Sequence, residues 1–219
     1  MKHLIKSFLI VFIVMCLVPS AMAKKNILTF AIGAEPVKLD PPNGTDNPSE
    51  MLNRTIYDNL VTFDTDMNIV PMLAESWDIS NDGKTYTFNL KTNVVFHDGA
   101  PFNAQAVVVN IKRLTNPEKR TKRTKLFLPF IKSVEALGDK TVKVSLKEPF
   151  GAMLAHFAHA AGAMISPKAL EKHGDKIALN PVGTGPYKFS KWTPGEQITL
   201  VAFEKFWGGK PKLDKIVFK

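Results

Sequence analysis

Cysteine is nearly missing from this sequence. One occurs among 219 residues, Cys16, inside an apolar stretch close to the amino terminus. A chain that loses this stretch has neither disulfides nor thiolate chemistry. Other reactive sets are missing as well. No serine occupies a nucleophile-elbow context, and the carboxylates are scattered through loops and helix starts rather than paired. His156 and His159 have H-x-x-H spacing, but two imidazoles do not close a metal site, and no cysteine or carboxylate lies beside them. Packing at the edge of a small-residue helix is the simpler reading. Asp64 and Asp66 begin like a calcium loop whose glycine and closing glutamate are absent. The glycines of Pro181–Tyr187 lack the lysine and the following helix of a phosphate loop. Neither enzyme activity nor a cofactor is expected.

Long hydrophobic runs are also scarce. Phe8–Val18 is shorter than the about 20 residues a membrane-spanning helix needs. Lys2 and Lys6 precede it and Pro19-Ser20-Ala21-Met22-Ala23 follows, so residues 1–23 read as a signal peptide cut after Ala23, which places the mature chain in the periplasm. The alternative is a lipid anchor on Cys16. Met15 speaks against it, being bulkier than the residue that normally precedes such a cysteine. Acidic residues are few, 20 against 29 lysines and arginines, for a net charge of +9. Residues 112–125, KRLTNPEKRTKRTK, hold seven basic residues and one acidic. No aromatic interleaves them, so there is no stacking platform for bases, and with the export signal no nucleic-acid partner is expected. The run reads as a solvated loop after a helix. A docking patch for a transporter or for acidic head groups is the alternative.

What is present is an ordinary globular composition, 45% hydrophobic and 22% charged, organised around Leu73–Ile111. Asn81-Asp82-Gly83 is a hairpin turn between Trp77/Ile79 and Thr85–Leu90. Tyr86, Phe88 and Leu90 alternate with Thr85, Thr87 and Asn89, the pattern of a sheet with one wet face. Val94-Val95-Phe96 is expected to be a further short strand. His97–Pro101 turns the chain, with Gly99 available for a positive φ. Asn103 caps a helix whose inner face is Ala104, Val107, Val108, Ile111 and Leu114.

The flanking segments follow the same logic. Ile27–Gly33 is a first strand ended by Gly33-Ala34-Glu35-Pro36. A helix opens at Asn47-Pro48-Ser49-Glu50, capped by Asp46, Asn47 or Ser49, and is expected to run to about Leu60. Ile131–Leu137 and Thr141–Lys147 flank Gly138 as a second hairpin. Phe150–Ala163 is helix-like. Ser166 caps a helix with Pro167 in its first turn and Gly174 as its stop. Strands follow at Tyr187–Trp192, Ile198–Phe203 and Leu213–Phe218.

The order LAESW, DGKTYTF-x-L, V-x-FHDG-x-PFNA-x-x-V, and later PVGTGPY, resembles the signature of the family 5 solute-binding proteins of ABC importers. These bind dipeptides, oligopeptides, nickel or glutathione. Many members carry an acidic residue where this chain has Ala106, and the FNAQAV version, with MISPKALEKHG, is similar to the glutathione-binding branch. The resemblance implies a mixed α/β fold of the periplasmic binding protein type II kind. Only the first lobe would be present, with an inserted antiparallel-sheet subdomain. Residues 24–60 and 179–219 would form the ligand-facing lobe and 61–178 the insertion. Members of the family are about twice as long, so an N-terminal fragment or truncated product lacking the second lobe is expected. The implied function is delivery of a short peptide-like solute, glutathione first, by a monomer to ABC permease subunits. Gly33, Ala34, Glu35, Asp46 and Asn47 are expected to line the cleft, with no metal ligands. A longer oligopeptide, a nickel chelate or haem is the alternative ligand, and a remnant without transport activity the alternative state. A secreted hydrolase is the alternative of another class.

Overall fold

A computed structural model describes residues 26–219. The leader, its cleavage after Ala23 and Cys16 lie outside the described residues. In chain order the elements are β1 (Ile27–Phe30), α1 (Asn47–Ile56), β2 (Val61–Phe63), β3 (Ile69–Pro71), β4 (Ala74–Ile79), β5 (Thr85–Leu90) and α2 (Ala104–Leu114). β6 (Ile131–Ala136), β7 (Thr141–Leu146), α3 (Met153–Ala158), α4 (Pro167–His173), β8 (Tyr187–Thr193), β9 (Gln197–Ala202) and β10 (Lys215–Phe218) complete the series.

The two expected hairpins form one antiparallel sheet, ordered β4-β5-β7-β6. Gly83 (φ 66°) and Gly138 (φ 79°) close the two turns in the left-handed region, where a Cβ would be strained. Phe88 is paired with Trp77 of β4 and Val142 of β7. Tyr86, Phe88 and Leu90 are buried, as are Val142, Val144 and Leu146, while their alternate neighbours are partly exposed. The helix α2 covers β6 and β7, held at its start by the Asn103 side chain, which accepts a hydrogen bond from the Ala106 N–H at 3.0 Å. Ala106 stands three positions into the helix, where an acidic residue would complete a capping box. This core runs from Leu60 to Met164.

The second sheet is ordered β1-β10-β9-β8. β1 is parallel to β10 and the other pairs are antiparallel. The helix α1 packs on β8, and a second core gathers Leu39, Leu52, Ile56 and Tyr57 with Ile165, Ile177, Ile198, Leu200, Ile216 and Phe218. Val182 touches both cores.

Three local expectations are corrected. Val94-Val95-Phe96 makes only an isolated bridge, Val95 to Pro101. The turn at His97–Pro101 folds the segment onto itself, with the Phe96 N–H on the Ala100 carbonyl and the Phe102 N–H on the Val94 carbonyl, so no neighbouring strand is met. The first helix stops at Ile56, not near Leu60, because the Ile56 carbonyl accepts the N–H of Gly185 at 3.0 Å and Tyr57 turns extended. The Phe150–Ala163 stretch is broken at His159 (ψ 144°) into α3 and a short 3-10 turn, Ala160–Gly162.

Candidate functional site

β1 ends where its pairing with the last strand gives out. The Lys219 N–H donates to the Phe30 carbonyl at 2.9 Å and the Ile32 N–H to the Lys219 carbonyl at 2.7 Å. The chain then departs as Gly33-Ala34-Glu35. Glu35 is held on the β8–β9 turn, its Oε1 accepting the Gly195 N–H at 2.7 Å and the Trp192 Nε1–H at 3.3 Å. A cavity of about 120 Å³ opens there, lined by Ala34, Glu35, Gly195, Gln197, Phe218 and Lys219 among others. A Cβ added to Gly33 would meet no heavy atom within 4 Å, so the protein's own packing does not demand glycine at that position.

Asp46 and Asn47 lie at the start of α1 and are not among the residues lining that cavity. Asp46 is the helix cap. Its carboxylate accepts the Ser49 N–H at 2.8 Å and the Ser49 hydroxyl at 2.7 Å. Burial pushes its carboxyl upward, but the hydrogen bonds from Ser49 and from the Val37 backbone outweigh this and hold it below its usual range. Both oxygens are thus engaged in capping, while Asn47 is exposed beside them. Ser49 also accepts the Lys38 N–H at 3.1 Å, which ties the segment after Glu35 to the helix start.

At the other end of α1, against Ile56, lies a polar junction that sequence reasoning did not assemble, although FHDG and PVGTGPY are both part of it. His97 lies against the glycine run. The Gly183 N–H approaches its Nδ1 at 3.4 Å and its Nε2 lies 2.9 Å from the Gly185 carbonyl. One tautomer serves both, with the proton on Nε2 donated to Gly185. Burial pulls His97 down to about 4, the Gly185 carbonyl opposing, so the imidazole is neutral at pH 7. Asp98 accepts the Ser166 hydroxyl at 2.6 Å. Asp58, almost fully buried, accepts the Thr184 hydroxyl at 2.9 Å and the Trp207 Nε1–H at 2.8 Å. Burial raises its pKa against those two hydrogen bonds. The Asn110 amide pairs in both directions with the backbone of Ile165, at 2.8 and 3.0 Å. The glycines are obligatory here: a Cβ on Gly183 would come within 2.2 Å of the Ile56 carbonyl oxygen, and one on Gly185 within 2.7 Å of its carbon. This arrangement holds chain crossings together and contains no reactive nucleophile.

The histidines of the H-x-x-H pair are occupied as packing residues. His156 Nδ1 lies 2.5 Å from the Leu126 carbonyl, and His159 Nδ1 accepts the Ala161 N–H at 3.0 Å. Among the described residues no group of three histidines, cysteines or carboxylates is placed to hold a metal ion.

The family model described as "Bacterial extracellular solute-binding proteins, family 5 Middle" matches residues 68–219. The chain belongs to family 5 of these solute-binding proteins. Its similarity to a glutathione-binding protein GsiB of Pectobacterium atrosepticum is 45% identity over 190 residues, covering 86% of this chain and 37% of that protein. Among solved structures, the periplasmic binding protein DppA of Helicobacter pylori, in complex with the peptide STSA, superposes with a TM-score of 0.80 at 35% identity. It covers 89% of this chain and 43% of its own. NikZ of Campylobacter jejuni, in complex with Ni(L-His), gives a TM-score of 0.81 at 34% identity over 90% of this chain and 39% of its own. The chain therefore spans about two fifths of the length of these relatives. The fold is the mixed α/β one of type II periplasmic binding proteins, present in part, and the family is that of ABC-importer binding proteins, not of enzymes.

Proposed function

We propose that the chain supplies the first lobe of an exported protein that binds a short peptide-like solute, glutathione first, and hands it to ABC permease subunits. The observation that carries this reading is the 45% identity to a glutathione-binding protein across most of the chain. A binding protein needs a ligand-facing surface and a body that a transporter can recognise, and no reactive set. The backbone of Gly33 and Ala34, with Glu35, would face the solute at the end of β1, and exposed Asn47 would add a polar contact at the start of α1. Asp46 would act there through the helix start it caps. Residues 24–60 and 179–219 would form the ligand-facing lobe around the second sheet, with 61–178 inserted as the antiparallel sheet. Export through residues 1–23 would bring the protein to the periplasm.

Titration calorimetry with reduced glutathione, a short peptide and nickel–histidine tests the reading, on this chain and on a version extended to the length of its relatives. Saturable glutathione binding by the extended protein, weakened at least several-fold by Asn47→Ala, is the expected outcome. Preference for the peptide or the nickel chelate would replace the ligand, a second reading favoured by the bound STSA and Ni(L-His) of two structural relatives. No binding of any of the three by the extended protein would overturn the proposal.

A further inference from the structure

The basic run is sorted by the fold into two kinds of residue. Arg113 and Arg123 turn inward. Arg113 makes a two-pronged pair with the nearly buried Asp40, at 2.9 and 2.8 Å, and Arg123 reaches Glu50 at 3.3 Å. The backbone follows them: the Arg123 N–H donates to the Pro42 carbonyl at 3.1 Å and the Lys122 N–H to the Asn43 side chain at 3.0 Å. Thr124 is buried and Phe127 lies in the core. The run is thus a fastened loop, and the expectation of a merely solvated one is corrected.

The other five cations, Lys112, Lys119, Arg120, Lys122 and Lys125, are exposed, and none makes a salt bridge among the described residues. Lys112, Lys119 and Arg120 share one hollow of about 590 Å³ with Asn43, Asn116 and Thr121. Two acids, Glu118 and Asp175, also reach it, leaving the cations in the majority. Fixing the loop removes much of the entropy that immobilising a flexible lysine-rich segment would cost on binding.

We propose that this face docks on an anionic phospholipid surface. A protein partner is the less fitting occupant because such interfaces centre on aromatic and arginine anchors and are depleted in lysine, whereas four of these five cations are lysines and the run has no aromatic. Nucleic acid is disfavoured by the same lack of stacking groups. Clustered lysines with exposed ammonium groups match the diffuse negative charge of a bilayer, where each adds a similar, salt-sensitive increment. The inference does not depend on which solute the protein carries.

The test is co-sedimentation of the chain from Lys24 onward, which contains both hydrophobic cores, with vesicles of phosphatidylcholine alone or mixed with phosphatidylglycerol. The variant Lys112→Gln/Lys119→Gln/Arg120→Gln/Lys122→Gln removes four of the five patch cations, including all three of the hollow, and Lys132→Gln/Lys140→Gln/Lys205→Gln/Lys212→Gln removes equal charge elsewhere. Binding to the anionic vesicles that falls at least tenfold in the first variant, and several-fold between low and physiological salt, is expected, with the second variant close to the parent. Equal losses in both variants would reduce the effect to net charge and overturn the assignment. So would binding that ignores phosphatidylglycerol, or a patch effect that appears only when a transporter protein is added.

Discussion

The two sheets are finished to different degrees. In β4-β5-β7-β6 the inner strands alternate cleanly between buried and partly exposed residues, and Phe88 is fully buried at 0% exposure. In β1-β10-β9-β8 the edge strand β1 is exposed along its length, with Ile27 at 48%, Leu28 at 43% and Phe30 at 45%. Neither a charge nor a proline interrupts Ile27-Leu28-Thr29-Phe30, although edge strands normally carry such guards. The edge strands of the first sheet, β4 and β6, are also largely exposed but carry Glu75, Asp78, Lys132 and Glu135, whereas β1 leaves an unguarded apolar edge that the described residues do not cover. Stability should be concentrated in the first.

The largest break in this comparison is Phe88→Ala. Its ring packs edge-on against Phe157 with centroids 5.3 Å apart, and truncation should cost about 3–5 kcal/mol, read from urea unfolding at pH 7. The next test acts between the sheets. His97 is neutral when folded, with its pKa lowered to about 4, whereas the unfolded chain titrates near 6.5. The unfolded state binds the extra proton, so the stabilisation is complete above pH 6.5 and is lost as pH falls through 6.5 toward 4. Its size is at most about 3 kcal/mol. His97→Gln should flatten the decline in urea midpoint between pH 7 and 4.5, and an unchanged slope would remove His97 as its source. Asp58 works the other way. Its raised pKa favours the folded state most strongly at acid pH, so it partly masks the histidine in the parent. The smallest effect belongs to β1. Leu28→Ser should change the urea midpoint by less than about 0.5 kcal/mol equivalent while reducing self-association in light scattering. A loss as large as that of Phe88→Ala would show that the β1 edge supports the fold as much as the interior of the first sheet does.

Legibility followed the range of the interactions. Both hairpins of the first sheet were readable because turn glycines and two-residue alternation are local, and Asn103 and Ser166 were readable as caps because each serves the next few residues. The end of α1 was not, since it depends on Gly185 taking the Ile56 carbonyl from far along the chain. Val94–Phe96 has strand composition, but a strand also needs a partner. Arg113 and Arg123 looked like part of one uniform basic run, because nothing nearby in the sequence marks Asp40 and Glu50 as their partners. Of the candidate site residues, Asp46 was readable as a cap, whereas Gly33, Ala34 and Glu35 rest on family resemblance and on their position at a strand end. The His97–Gly183 junction joins two motifs visible separately, but their contact exists only in three dimensions.

The parallel pairing of β1 with β10 also bears on the order in which the chain can fold. Ile27 aligns with Lys215, and the Asn26 N–H bonds to Asp214 across a separation of 188 residues. A polypeptide that emerges amino end first has β1 available long before its partner β10. The β4–β7 hairpins can zip from nearby contacts in the meantime, since local pairings form before those requiring long loop closure. An unpaired, uncharged apolar strand is therefore carried until β10 has emerged, and in that interval it is open to mispairing and aggregation.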